Sequence, residues 1–235
     1  MVELGMTSGR IYHIYNRGVD GRVTFSEAGD YDKFLDILRG YLGEFKIEEG
    51  GKYKSERPYL SRHRQKMNLF GQVKLVGYCL MPNHYHLILQ PEGEETIAKL
   101  MRRAGTTYTM YFNKKYKRIG TLWETGYRCE EVWGDERILH LTRWVHLNPA
   151  PREVRRFGLV ETVTGFRPEE FMYSSYQYYL TPDKTEGWVH PEVGLALFAS
   201  WNDRRWANYQ KFVEDRGLRS EVVLGRMAID AGREK

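Results

Sequence analysis

Residues 77–89 read Gly77-Tyr78-Cys79-Leu80-Met81-Pro82-Asn83-His84-Tyr85-His86-Leu87-Ile88-Leu89. Pro82-Asn83 is a turn signal between two apolar runs, so Val73–Met81 and His84–Leu89 are predicted to form a pair of adjacent strands. Alternate residues of a strand share a face, which puts His84 and His86 on one side and Tyr85 on the other, in the core. Two imidazoles on one face can share a metal ion. A bare His-x-His strand is more often two hydrogen-bonded histidines in a sheet, so its meaning depends on the residues around it.

Working outward, Arg10–Asn16 alternates as a strand with Ile11, His13 and Tyr15 on one side and Tyr12 and Ile14 on the other. Gly18–Gly21 turns the chain. A helix follows from about Asp30, with Phe34, Ile37, Leu38, Tyr41 and Leu42 at helical spacing. Glu48–Phe70 is polar and basic and reads as a long loop, with a basic insertion near residues 50–70. Beyond the histidine strand, Glu94–Tyr116 carries Ile97, Leu100, Met101, Ala104 and Tyr108 at helical spacing, and Thr121–Val132 reads as a strand. Asp135 is the expected N-cap of a helix running to Leu147, before Asn148-Pro149. Strand, helix, strand, strand, helix, strand is the ferredoxin-like order. The expected fold is therefore α+β, an antiparallel sheet with helices on one face, over residues 1–180. Pro151–Lys235 reads as a largely helical tail, and residues 181–235 are expected to form a helical C-terminal extension.

The chain has 235 residues, with 36 Lys and Arg against 31 Asp and Glu, a net charge of +5 with histidines neutral. The length can bury a substantial core, and the composition excludes a disordered chain, a collagen-like repeat and a disulfide scaffold. With Cys79 and Cys129 alone, a reducing compartment is expected and a cysteine-based zinc site is not. Met1–Arg10 does not read as a signal peptide, and no apolar run approaches the roughly 20 residues that span a bilayer. The charge is concentrated. Gly51–Lys74 carries seven basic residues against Glu56 alone, and Met101–Arg128 carries seven against Glu124 alone. Aromatic residues, among them Tyr53, Tyr59, Tyr111, Tyr116 and Trp123, are interleaved with both stretches. A single charged run is commonly a solvated face. Two such runs mixed with aromatic rings favour a nucleic-acid groove, with cations on phosphates and rings on unpaired bases.

The motifs resemble a known family. His84-Tyr85-His86 following Gly77–Asn83 is similar to the HUH motif of single-tyrosine transposases of the IS200/IS605 type, and further motifs resemble the REP-associated tyrosine transposases. These are Tyr12–Gly18 (Tyr-His-Ile-Tyr-Asn-Arg-Gly), Tyr111–Tyr116, Gly120–Glu124, His146–Pro149 and Tyr173–Tyr176, in that order over about residues 10–180. The resemblance implies a ferredoxin-like HUH domain that cuts and rejoins single-stranded DNA beside a small hairpin through a 5′-phosphotyrosine. It implies a divalent ion, Mg²⁺ or Mn²⁺, held by His84, His86 and an amide ligand in the place of Asn148. It implies a prokaryotic, cytoplasmic, nucleoid-associated protein with single-stranded or hairpin DNA as partner and no membrane, acting as a monomer or a homodimer.

The helix departs from the family at one position. Four residues before Asn148, where the pattern Arg-Tyr-Ile-His-Leu-Asn-Pro puts the nucleophile, stands Trp144, flanked by Arg143 and by His146-Leu147-Asn148-Pro149. Indole has no hydroxyl and cannot form the phosphotyrosine. Three readings stay open: a domesticated, inactive DNA-binding relative; attack by another tyrosine, with Tyr108, Tyr111 and Tyr127 nearest in sequence; or a metal-activated water, giving a simple nuclease. A metal-dependent RNA-binding protein is a more distant alternative. The candidate DNA contacts are Asn16, Arg17, Arg102, Arg103, Lys114, Lys115, Arg118 and Arg128. His140 and His146 are expected to be structural, and Tyr173–Tyr176 to pack the tail onto the sheet.

Overall fold

The computed structural model describes residues 6–44, 67–124, 126–149, 154–156, 159–161, 167–185, 187–201 and 205–228. Most of the expected basic insertion near 50–70 therefore lies outside the described residues. Strand β1 (Ile11–Arg17) leads through a turn to helix α1 (Ala28–Leu42). Strands β2 (Val73–Met81) and β3 (His84–Pro91) follow, then helix α2 (Thr96–Lys115), strand β4 (Arg128–Val132) and helix α3 (Asp135–Leu147). The four strands form one antiparallel sheet in the order β2-β3-β1-β4, which is the ferredoxin-like arrangement.

Strand alternation divides the interior into two layers. Tyr12 and Ile14 of β1 and Tyr85, Leu87 and Leu89 of β3 face α1 and α2, where Phe34, Leu38, Ile97, Leu100, Ala104 and Tyr108 complete one core. Ile11, Val76, Cys79, Ile88 and Val132 face the other way, beneath Ile138, Leu141, Trp144 and Val145 of α3. The two helices of the ferredoxin-like unit thus share one face, and α3 together with the extension closes the opposite one. The pattern follows from the period of two along each strand: residues on both faces are apolar because both faces are covered.

Several boundaries differ from expectation. The strand expected over Thr121–Val132 begins only at Arg128, because the residues before it run along the end of β1: Trp123 bridges Gly18, Val19 N–H donates to Leu122 O at 3.0 Å, and Glu124 N–H donates to Arg17 O at 2.8 Å. The N-cap of α3 is Gly134, with φ of 85°, a left-handed conformation that glycine adopts freely. Asp135 is the first helical residue, where its carboxylate still favours the positive helix end. The tail is not wholly helical. A short hairpin, β5 (Val154–Arg156) with β6 (Leu159–Glu161), precedes helices α4 (Tyr176–Leu180), α5 (Pro191–Ser200), α6 (Tyr209–Glu214) and α7 (Ser220–Leu224).

Tyr173–Tyr176 packs the tail onto the sheet. Leu80 N–H donates to Tyr173 O and Ser175 N–H to Tyr78 O, both at 2.9 Å, with a bridge between Cys79 and Ser174 along the edge of β2. Arg143 is buried and spends its guanidinium on the extension: Nε donates to Phe212 O at 2.9 Å, one terminal nitrogen to Ser220 Oγ at 3.0 Å and the other to Asp215 O. His146 lies between Tyr209 Oη and Ser175 Oγ, each 2.9 Å away, and His140 is 3.1 Å from Ser220 Oγ. Both histidines therefore serve the packing of α3 against the tail.

At the start of α1, Asp30 is fully buried and is ion-paired with Lys115, whose ammonium also reaches Glu27 at 2.7 Å. Asp30 also accepts from Tyr116 Oη at 2.7 Å and from Ser26 N–H at 2.9 Å. Burial alone would raise the carboxyl's pKa, but the bonds from Lys115, Tyr116 and Ser26 hold it below the usual carboxylate value. A depressed carboxyl stabilises the fold above its unfolded value of about 3.9, and that contribution is lost as the pH falls through the lower folded value. Asp30→Asn is expected to cost about 2 kcal/mol at pH 7, since Lys115 loses its buried partner. In thermal melts from pH 7 to pH 2, the variant should also show a shallower loss of stability below about pH 4 than the parent.

Candidate functional site

The turn before the histidine strand is clamped from outside. Pro82 O accepts from Thr24 N–H at 2.8 Å and Phe25 N–H at 3.0 Å, and Asn83 O accepts from Gly18 N–H at 2.8 Å. Gly18 is required by space: a Cβ there would lie 2.3 Å from Arg22 O and 2.7 Å from Thr24 Cγ2. The Gly18 turn and the Pro82-Asn83 turn are thus built as one unit at the end of the sheet where His84 begins β3.

Antiparallel pairing of β1 and β3 sets Arg17 opposite His84 and Tyr15 opposite His86. His84 and His86 share the face beneath α3, their ring centroids 5.0 Å apart at an interplanar angle of 81°. His84 Nδ1 lies 2.7 Å from Asn83 Oδ1. That oxygen is an acceptor, since the Asn83 amide nitrogen donates to Gly21 O, so His84 donates from Nδ1. His86 is fully buried, and its Nδ1 is 3.0 Å from His13 Nε2. Burial pushes the His13 pKa down to about 3, so that ring is neutral near pH 7.

Helix α3 brings Trp144 onto this cluster. The indole is buried and meets His86 edge-on at 4.8 Å between centroids and His13 at 5.9 Å. The residue in the expected nucleophile position is therefore beside a histidine of the pair. Asn148, one turn later at the end of α3, is buried, and its N–H donates to Val145 O. Among the described residues no three His, Cys, Asp or Glu side chains gather as metal ligands. His13 is near, but it is turned onto His86 Nδ1.

The expected DNA contacts separate into two groups. Arg17 and Arg128 belong to the strands beside the histidines: Arg17 is paired with His84, and Arg128 is exposed and paired with Tyr15. Asn16 lies on the opposite face, where its side chain bonds Tyr85 and accepts from Arg17 N–H. Arg102, Arg103, Lys114 and Lys115 are on α2, which packs on the face away from the histidines. Of these, Lys115 is committed to Asp30 and Glu27, and Arg103 donates to Met67 O. Arg118, just past α2, donates to Asn113 Oδ1 at 2.9 Å. Arg102 and Lys114 are exposed.

The three tyrosines named as alternative nucleophiles are remote from the histidine face. Tyr108 is buried in the α1–α2 core and donates to Thr24 O at 2.6 Å. Tyr111 donates to Asp30 at 3.1 Å, and Tyr127 packs against the same core. Tyr15 is the tyrosine that faces the histidines, stacked on His13 at 4.9 Å and 6.0 Å from His86 between centroids. Its hydroxyl donates to Glu130 Oε1 at 2.9 Å, and burial, then this carboxylate, raise its pKa to about 12. His13, Tyr15 and Glu130 are thus neighbours of the site that motif reading passed over. The signal for the first two was their shared face on β1; what was missing was the register that sets that face against His86.

A family described as "Transposase IS200 like" matches residues 54–148, ending on Asn148. No curated protein matches the chain. A solved structure described as "Structure of the REP associates tyrosine transposase bound to a REP hairpin" is similar at 11% identity, covering 78% of this chain and 87% of that one with a TM-score of 0.47. The family match runs through β2, the histidine strand, α2 and α3, and over residues 54–148 it supports the family that the motifs suggested, the IS200-like transposases.

Proposed function

We propose that the protein binds single-stranded or hairpin DNA, of repetitive extragenic or transposon-end type, at the end of the sheet where His84 begins β3. In this reading a divalent ion, Mg²⁺ or Mn²⁺, is held by His84, His86 and the Asn148 amide, and Trp144 occupies the place from which a tyrosine would attack. The observation that carries the reading is the placement of Trp144 against His86, one turn before Asn148, within the segment that matches the IS200-like family. The donor set fits such an ion: two imidazoles on one strand face, 5.0 Å apart, can each make a bond of about 2 Å to a common metal, and an amide oxygen suits Mg²⁺ or Mn²⁺. The ion, when bound, would polarise a phosphate of the bound strand. Around it, Arg17 and Arg128 neutralise the backbone, and the buried indole keeps water from the covered side of His86. Without a hydroxyl at position 144, no phosphotyrosine forms there, and binding is the activity that remains.

A second reading has cleavage moved to Tyr15, favoured by its place beside His13 and His86, although burial and the Glu130 hydrogen bond raise its pKa. Incubation with Mn²⁺ and a labelled single-stranded hairpin, followed by a denaturing gel, separates the two. Tight binding with no covalent adduct is expected, and Trp144→Tyr should gain an adduct that His84→Ala or His86→Ala then abolishes. An adduct formed by the unaltered protein and lost in Tyr15→Phe would establish the second reading. Free cut product without adduct would instead point to metal-activated water.

Binding should weaken steeply with salt. Arg17→Gln and Arg128→Gln are each expected to reduce affinity across sequences and to lower the magnitude of the log K against log salt slope by about one. Lys115→Gln should leave that slope unchanged, because its ammonium is bound to Asp30 and Glu27.

A further inference from the structure

His13 is fully buried, and its ring is fixed on three sides. Tyr15 stacks on it at 4.9 Å and 28°, His86 lies side by side with it at 5.2 Å between centroids and 25°, and Trp144 meets it edge-on. Strand register places His13 opposite Ile88, so its ring reaches diagonally along β3 to bring Nε2 within 3.0 Å of His86 Nδ1. Between two neutral imidazoles such a bond has one donor and one acceptor. Either ring can be the donor, and the two directions differ in which His86 nitrogen carries the proton. A ring that ligates a metal through Nε2 needs the lone pair there, which puts its proton on Nδ1 and makes His13 Nε2 the acceptor.

His84 shows the same arrangement with a different partner. Its Nδ1 donates to Asn83 Oδ1 at 2.7 Å, an oxygen that can only accept. Each histidine of the pair therefore has its Nδ1 anchored by a neighbour supplied by the fold: His84 by the residue before it in the turn, His86 by a residue 73 positions away on the next strand.

We propose that His13 is a positioning residue whose Nε2 accepts a hydrogen bond from His86 Nδ1–H and so holds His86 Nε2 as the metal-binding nitrogen, as Asn83 does for His84. The inference rests on the metal reading given above. Partners of this kind fix both the tautomer and the tilt of a ligating ring, and their loss commonly costs 10–100-fold in metal affinity.

The test is Mn²⁺ binding by the purified full chain, measured by calorimetry without DNA. His13→Leu fills the space but cannot accept a proton, and it is expected to weaken Mn²⁺ binding by about 10–100-fold. His13→Gln, whose amide oxygen can take the place of Nε2, should stay much closer to the unaltered protein. Nitrogen-15 spectra of the Mg²⁺-loaded protein should show His86 protonated on Nδ1. Hairpin affinity in EDTA and the melting temperature are read alongside; if His13→Leu fails to fold, His13→Gln and the His86 tautomer decide. Unchanged Mn²⁺ affinity in His13→Leu, a loss in His13→Gln as large as in His13→Leu, or a His86 proton on Nε2 would each overturn the proposal. Absence of Mn²⁺ binding by the unaltered protein would instead bring down the metal reading itself.

Discussion

The antiparallel pairing of β1 with β3 is the constraint on which the rest depends. These are the two central strands, and both of their faces are covered, so their register decides what each layer contains. With Tyr15 opposite His86 and Arg17 opposite His84, three histidines and Tyr15 lie under α3, while Tyr12, Ile14, Tyr85, Leu87 and Leu89 fill the other layer. A slip of one residue would exchange the faces, driving imidazoles into the apolar layer beside Phe34 and Tyr108. Apolar burial on one side thus specifies polar chemistry on the other.

The same layering sorts the charges. Seven basic residues in Met101–Arg128 look like one cationic surface when written in a line. In three dimensions α2 puts its cations on the far side of the sheet from the histidines, and Lys115 is drawn inward to satisfy the buried Asp30. A carboxylate at the start of α1 with no exposure to solvent needs a counter-charge far more than a solvated phosphate does. Arg17 and Arg128 remain at the histidine end because they sit on β1 and β4, whose pairing places them there.

Much of the architecture was legible before any coordinates. The period of two in Ile11, His13 and Tyr15, the Pro82-Asn83 turn, the 3.6-residue spacing in α1 and α2 and the start and stop signals of α3 are local, and they gave the element order and the ferredoxin-like topology. The His84–His86 pair and its orientation away from Tyr85 followed from alternation alone. What was not legible depended on contacts between distant segments. Thr121–Trp123 alternates well enough to be a strand, yet it is captured by the Gly18 turn. Tyr108, Tyr111 and Tyr127 are close to Trp144 in sequence and on the wrong side of the sheet, whereas Tyr15 is far in sequence and on the right one. Proximity along the chain says little about which side of a sheet a residue occupies.

Arg143 and His146 flank Trp144 on α3 and turn outward to the C-terminal residues, with Arg143 alone closing three backbone or hydroxyl acceptors between Phe212 and Ser220. The helix that presents Trp144 to the histidines is therefore fastened from behind by a segment some seventy positions downstream. Local opening of that segment would leave a buried guanidinium without acceptors, an uncompensated charge that favours release of the helix as well. The time the histidine face spends correctly covered is thus tied to the opening equilibrium of the chain's end, and the small helices α6 and α7 act as the latch that sets it.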